Sequence, residues 1–333
     1  MSKLHDLELK ARIDWIAECL IQHLPADFVA AVAAIRASLP PALDPALTDD
    51  DFGTFIIAPL GEFAVKQGLE FHPDLALDLL EDLTQRFSME WALRPFLNEH
   101  PDKTLARLER WMHHPSYHVR RLVSEGTRPK LPWGIGIGLT PEHTIALLNH
   151  LHADKTRFVT RSVANHLNDI SKTDPDLVVS CLRSWASDAR QSQGELDWMT
   201  RHALRGLIKA GHPDALGMLG YDPDAEVTAM LRSGPDPLQV GQVLTLDVDI
   251  TGPANLPVMV DYVLRLHRPK GAPGRKVFKL KQGKLDASGH LHLRKSQRLQ
   301  TGLSSYRLHP GPQSVAVQIN GCIRAEMAFE VIA

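Results

Sequence analysis

Along the first 230 residues, apolar positions recur at three- and four-residue spacing. LHDLELKARIDWIAECLIQHL, DFVAAVAAIRASLP, PDLALDLLEDLTQRF and PDKTLARLERWMHH each predict an amphipathic helix. The last two open on Pro-Asp, which suits a first helical turn. Short breaks of Pro, Gly and Asp separate the helices. Beyond residue 240 the period drops to two. VLTLDVDIT, VMVDYVLRLH, KVFKLKQGKLD, HLHLRKSQRL, SVAVQING and IRAEMAFEVIA predict short strands, with turn clusters TGPAN, RPKGAPG and DASG between them. Six or seven strands over 241–333 suggest a β-sandwich of immunoglobulin type, without the Cys…Trp…Cys signature. RSGPDPLQVGQ, rich in Pro and Gly, reads as a linker over 231–240.

The helices repeat. In YHVRRLVSEG, RFVTRSVANH and DWMTRHALRG the arginines Arg121, Arg161 and Arg201 fall 40 residues apart, twice. Val119, Val159 and Met199 precede them by two places, and Val123, Val163 and Ala203 follow by two. Another helical stretch lies upstream of each. A helix pair returning at about 40 residues has the period of HEAT-type repeats, which stack because one pair cannot bury its own apolar face. The expected architecture is therefore multidomain α + β: a HEAT-like α-helical solenoid over 1–230, the linker, and an Ig-like β-sandwich over 241–333.

Composition narrows the classes. Apolar residues make up 44% of the 333, enough for packed cores. No run of 18 apolar residues exists, so no membrane span is expected. The start carries acids and lacks an apolar h-region, which argues against a secretory signal. Cys19, Cys181 and Cys322 lie far apart without a CxxC, which fits a reducing cytoplasm. Charge is uneven: residues 1–100 hold 7 basic and 17 acidic side chains, 101–240 hold 17 and 16, and 241–333 hold 13 and 6. A basic C-terminal module suggests a polyanionic partner, although an ordinary solvated surface would look the same.

Several chemistries lack their motifs. There is no GxGxxG after a strand, no Walker loop and no GxSxG, so neither a nucleotide cofactor nor a serine-hydrolase elbow is expected. His113, His114 and His118 cluster before a helix without HExxH or other metal-ligand spacing, so no metal is expected. What stands out is VRRLVSEGTRPKLPWG over 119–134. Arg120, Arg121, Arg128 and Lys130 surround one acid, Glu125, and Trp133 closes the stretch. Glu125 can be the i,i+4 partner of Arg121, an interaction worth only a few tenths of a kcal/mol. It can equally be the one group that does chemistry on a polyanion. The same helix face carries Asn165 and Arg205 at the equivalent places, with His166, Asn168, Asp169, His202 and Lys209 nearby.

FGTFIIAPLGEFAVKQGLE, LALDLLEDLTQRFSMEWALRPFL, HPSYHVRRLVSEGTRPKLPWG, FVTRSVANHLNDISKTDP and WMTRHALRGLIKAGHPDALGMLGY cover most of residues 52–221. Together they resemble the AlkC branch of the HEAT-like-repeat alkylpurine DNA glycosylases, some of which carry a C-terminal Ig-like domain. The resemblance implies excision of cationic N-alkylated bases, chiefly 3-methyladenine, from duplex DNA. It also implies a route without full base flipping, with carboxylate and tryptophan side chains against the deoxyribose, and no cofactor. It points to Glu125 as the catalytic carboxylate, Asp169 as the second choice, and Trp133 and Trp198 as the aromatic candidates. Trp111 and Trp185 occupy one corresponding place in their repeats and are expected to pack between helices; Trp91 is given no weight. Arg120, Arg121, Arg128, Lys130, Arg157, Arg161, Lys172, Arg201, Arg205 and Lys209 are the phosphate candidates, about half of them structural. Asn165, His166, Asn168 and His202 could donate to phosphate or lesion. The basic sandwich, with HRPKGAPGRK and RKSQR, is expected to act as a second DNA clamp, and the protein as a monomer. The rivals are a HEAT protein-interaction scaffold and a DNA-structure-binding protein without excision.

Overall fold

The computed structural model describes residues 2–49, 51–301 and 306–333. The chain forms two compact units, Met1–Leu204 and Arg205–Ala333.

The first unit is helical. Its helices are α1 (Leu9–His23), α2 (Phe28–Ser38), α3 (Ala58–Gly68), α4 (Pro73–Thr84), α5 (Glu90–Glu99), α6 (Pro101–Trp111), α7 (Tyr117–Gly126), α8 (Pro141–Leu151), α9 (Arg157–Ile170), α10 (Pro175–Asp188) and α11 (Gln193–Ala203). Proline occupies the first turn of α4, α6, α8 and α10, where its missing N–H costs nothing. Asp174 and Ser192 cap α10 and α11 by accepting from Leu177 and Glu195 backbone N–H groups.

The repeat read from the sequence is the repeat of the fold. α6–α7, α8–α9 and α10–α11 are successive pairs, and α9 packs between α7 and α11 in a solenoid-like stack. Val119, Val159, Met199, Val123, Val163 and Ala203 are all fully buried. Their burial fixes which face of each second helix carries the polar column. Trp111 and Trp185 close the first helices of their pairs and are 2% and 1% exposed. Trp185 donates its indole N–H to Asn149 Oδ1 at 2.8 Å and stacks on His152 at 4.4 Å, so its polar edge is satisfied within the core.

The second unit begins with α12 (Arg205–Ala210) and α13 (Pro213–Gly217). Strands β1 (Thr228–Gly234), β2 (Leu238–Gln239), β3 (Val243–Thr251), β4 (Pro257–Leu266), β5 (Gly274–Lys284), β6 (His290–Arg298), β7 (Gly311–Ile319) and β8 (Cys322–Ile332) follow. They form a three-stranded sheet, β1-β3-β6, and a five-stranded sheet, β2-β8-β7-β4-β5. Alternation on β3 sends Leu244, Leu246, Val248 and Ile250 inward against Val258, Val260, Tyr262 and Leu264 of β4 and Val315, Val317 and Ile319 of β7. The other face of β4 is buried as well, at Met259, Asp261 and Val263. The turn after α12 meets the β7–β8 turn there. A Cβ added to Gly211, at φ +85°, would fall 2.5 Å from the Gly321 carbonyl oxygen, and one added to Gly321 would fall 2.5 Å from Leu216 Cδ1.

Six expected strands stand where the pattern put them. The expected linker does not: residues 231–234 complete β1, pairing with 245–248 of β3, and Leu238–Gln239 pairs in parallel with Val331–Ile332 of β8. The expected boundary at residue 230 also moves. α12 and α13 belong with the sandwich, because their packing partner is its outer face.

Candidate active site

The last turns of α7 and α9 lie side by side, and each contributes one acid. Glu125 ends α7 and is 5% exposed; Asp169 ends α9 and is 7% exposed. One guanidinium joins them. Arg128 donates Nη1 to Glu125 Oε1 at 2.6 Å, and its Nε lies 2.9 Å and its Nη2 2.8 Å from Asp169 Oδ2. Ser162 Oγ donates to Glu125 Oε2 at 2.6 Å, and Arg121 Nη2 stands 3.6 Å from the same oxygen. Lys172 Nζ donates to Asp169 Oδ1 at 2.7 Å from a side chain that is 54% exposed. Every oxygen of the two carboxylates therefore has a donor.

The electrostatics follow from this crowding. Burial alone would push the Glu125 carboxyl up, but Arg121, Arg128 and the Ser162 hydroxyl together hold it below the ordinary carboxylate value. Glu125 is thus ionised at neutral pH. Burial lowers the Arg128 guanidinium, and the two acids more than reverse that, so it too stays charged. Arg121 is fixed from three sides: Ser88 Oγ accepts from it at 2.8 Å, Glu90 lies 3.8 Å away, and its guanidinium sits 4.5 Å over the Phe158 ring.

The chain leaving α7 runs from Thr127 to Thr140 without helix or strand. It carries Arg128, Lys130 and Trp133. Trp133 is 59% exposed and adopts φ 63°, a left-handed conformation uncommon for a bulky residue. It ends an edge-to-face row of rings: Phe55 to Phe87 at 5.1 Å, Phe87 to Trp91 at 5.9 Å, and Trp91 to Trp133 at 6.5 Å. Ser88, next to Phe87, is the residue that anchors Arg121.

The structure sorts the remaining candidates. Arg120, expected to face phosphate, is 9% exposed; it pairs with Asp154 through Nε and Nη2 and gives Nη1 to the carbonyls of His114 and Pro115. Four of its five N–H groups are thus spent within the protein. Arg157 is bidentate to Glu195 and lies 3.9 Å over the Trp198 ring, which stacks on His202. Trp198 therefore presses on a structural ion pair rather than standing open. His202 Nε2 is 2.9 Å from Asn165 Oδ1, and Arg161 pairs with Asp49. His166, expected as a donor to DNA, is fully buried behind Glu125. Its Nδ1–H donates to Ser124 O at 3.0 Å, and burial pushes its imidazole down to about 4, so it is neutral. Asn168 is 7% exposed and its Oδ1 has no partner among the described residues. Lys130 and Arg201 are exposed. Arg205 and Lys209 belong to the second unit.

Sequence reasoning missed Arg94, Asn98, Ser162 and the row through Phe55, Phe87 and Trp91. LALDLLEDLTQRFSMEWALRPFL, already one of the resembling stretches, held three of them: Phe87, Trp91 and Arg94. Among the described residues, the one group of three side chains able to share a cation is Asp247, Asp249 and His292 on β3 and β6. Arg232 already lies 3.2 and 3.0 Å from its two carboxylates, so a metal would have to displace an ion pair.

A family model described as DNA alkylation repair enzyme matches residues 82–207, and one for the C-terminal Ig-like domain of the uncharacterised protein YhaZ matches 228–333. The uncharacterized protein YhaZ of Bacillus subtilis (strain 168) is 30% identical over 330 residues, spanning 98% of this chain and 88% of that protein. The alkylpurine DNA glycosylase AlkC of Pseudomonas fluorescens, solved bound to DNA containing an abasic site analog, superposes with a TM-score of 0.88. It is 31% identical, and the superposition covers 100% of this chain and 90% of that one. With both domains matched and the site borne by the matched helices, the chain belongs to the DNA alkylation repair enzyme family, in the AlkC-like branch that ends in an Ig-like domain.

Proposed function

We propose that this protein hydrolyses the N-glycosidic bond of cationic alkylated bases, chiefly 3-methyladenine, in duplex DNA, acting as a monomer in the cytoplasm. The observation that carries the reading is the ionised, buried Glu125 within one guanidinium's reach of Asp169, with the exposed Trp133 on the same loop as that guanidinium. An acid held below its ordinary pKa is a poor proton donor. A purine methylated at N3 needs none, because it departs as a neutral base. What the reaction lacks is charge stabilisation for the deoxyribose cation and a positioned water. A carboxylate in a water-poor site supplies both. An aromatic face beside the sugar adds about 0.5–2 kcal/mol. Neither role requires the base to leave the helix fully.

Lys172 gives the site a way to respond to DNA. It is the exposed partner of Asp169, and phosphates compete for it. Its departure would free Asp169 Oδ1 to accept from water. Arg121 and Arg128 would remain, held by protein partners on both sides. The sandwich supports a clamp role through a cleft of about 510 Å³ lined by Arg268, Lys270, Lys276, Arg307 and His309.

A second reading rests on the same geometry. Since all four carboxylate oxygens are already paired, the network can be purely structural, leaving a protein that binds DNA without excision. Base release decides. The purified protein is incubated with DNA methylated by a simple alkylating agent, beside Glu125→Gln and Asp169→Asn. Release of 3-methyladenine by wild type, lost in Glu125→Gln, sustains the glycosylase. DNA binding without release by any of the three leaves the second reading.

A further inference from the structure

Arg94 is among the most buried charged side chains of the first unit, at 1% exposure, and no carboxylate pairs with it among the described residues. A structural core position would pack as well with an apolar residue, since burying a guanidinium carries a desolvation penalty of several kcal/mol. The fork is instead spent on three backbone carbonyls. Nη1 donates to Gly126 O at 3.0 Å and to Arg128 O at 2.8 Å, and Nε donates to Ile135 O. One turn further along α5, Asn98 repeats the pattern. Its Nδ2 donates to Gly136 O at 2.9 Å, and its Oδ1 accepts from Gly138 N at 3.3 Å.

Apart from Gly126, the last residue of α7, these contacts fall on one segment, the irregular chain between α7 and α8. They grip it where it leaves α7, at Arg128 itself, and again just beyond Trp133. Gly134 lies against the stem of Arg94: a Cβ there would stand 2.8 Å from Arg94 Cδ. A loop this long has many conformations of similar free energy unless something selects one. Arg128 can meet both acids only if its backbone is set, because its three donors reach helices α7 and α9 together. Burial and the nearby Arg128 charge lower the Arg94 pKa, and the three carbonyls stand where a carboxylate partner would otherwise be.

We infer that Arg94 and Asn98 form a positioning clamp on α5 that holds the 127–140 loop so that Arg128 spans Glu125 and Asp169 and Trp133 keeps its place against Trp91. This rests on the proposed role of the two acids. The clamp touches neither substrate nor reacting atoms; it acts through Arg128 and Trp133.

The test uses full-length Asn98→Ala, whose side chain is exposed and leaves the core intact, with Arg94→Lys and Arg94→Ala. Trypsin cleavage after Lys130 reports the loop. Single-turnover base release and affinity for a duplex carrying an abasic site separate chemistry from binding. The expected result is faster cleavage after Lys130 in Asn98→Ala and Arg94→Lys. Release should be about tenfold slower in both, because small misplacements are costly at a reacting centre. Abasic-duplex affinity and the Asn98→Ala melting temperature should stay unchanged, and added guanidinium ion should restore part of the Arg94→Ala rate. Folded Asn98→Ala and Arg94→Lys that resist trypsin and release base like wild type overturn the clamp. If wild type releases no base, the glycosylase reading fails. Loop protection then still decides: protection lost sustains the clamp, and protection unchanged overturns it.

Discussion

Glu125 and Asp169 stand on adjacent helices and share one cation, Arg128, whose Nη1 and Nη2 lie 2.6 and 2.8 Å from their oxygens. Removing it takes away their shared countercharge and leaves Arg121 and Ser162 on Glu125 and Lys172 on Asp169. Arg128→Gln should therefore destabilise the folded protein by about 3–5 kcal/mol at pH 7, read from urea denaturation. The deficit should shrink as pH falls, because the under-compensated acids can then take up protons. An equal deficit at pH 7 and pH 4.5 would mean that the guanidinium is not balancing them.

Glu125 gives a signed pH expectation. Burial raises its pKa, but Arg121, Arg128 and Ser162 bring it below 4.5. Its folded pKa is thus depressed. It contributes stability that is complete above the unfolded value and lost as pH falls through the folded one. Catalysis by the carboxylate should show no titration of this group between pH 5 and 8. The measurement is the single-turnover rate across that range; a limb that disappears in Glu125→Gln would contradict it.

The cations should divide into two groups. Arg120→Ala breaks a buried pair with Asp154 and should lower the melting temperature without altering the salt dependence of DNA binding. Lys130→Ala and Arg201→Ala change exposed side chains. Each that meets a phosphate should reduce the slope of log K against log salt by about 0.9. Titrations at three salt concentrations suffice.

In the second unit, Asp261 is 6% exposed, and burial pushes its carboxyl up to about 6 despite Lys279 and Lys209 nearby. The folded pKa lies above the unfolded 3.8, so ionising Asp261 weakens the fold as pH rises between those values. Asp261→Asn should stabilise the protein at pH 7.5 by about 2–3 kcal/mol, at 1.36 kcal/mol per unit. The advantage should vanish near pH 4. Paired denaturation curves at the two pH values test it.

The helix pairs and most strands were legible because burial imposes a period, and a period survives in one dimension. The 40-residue recurrence of Arg121, Arg161 and Arg201 located the face on which both acids stand. Glu125 and Arg121 were visible as an i,i+4 pair, since both lie on one helix. That Arg128 also reaches Asp169 was not visible. It depends on the path of an irregular loop, and that path is set by Arg94 and Asn98 on a helix some 30 residues earlier. The role of Arg120 was misjudged for a related reason: its partner, Asp154, lies in a different repeat. Strand β1 hid because TAMLRSG alternates weakly and runs into a proline-rich segment, the usual mark of a linker.

The back-to-back glycines at 211 and 321 decide where this molecule can be cut. Severing the chain at the proline-rich segment would remove β2 through β8 and leave β1, α12 and α13 attached to the helices. Leu216, fully buried in the intact unit, would then face water, and an insoluble fragment would say nothing about DNA. A scissor placed after Leu204 keeps each compact unit whole. The same site is the place to graft the sandwich of one relative onto the helices of another.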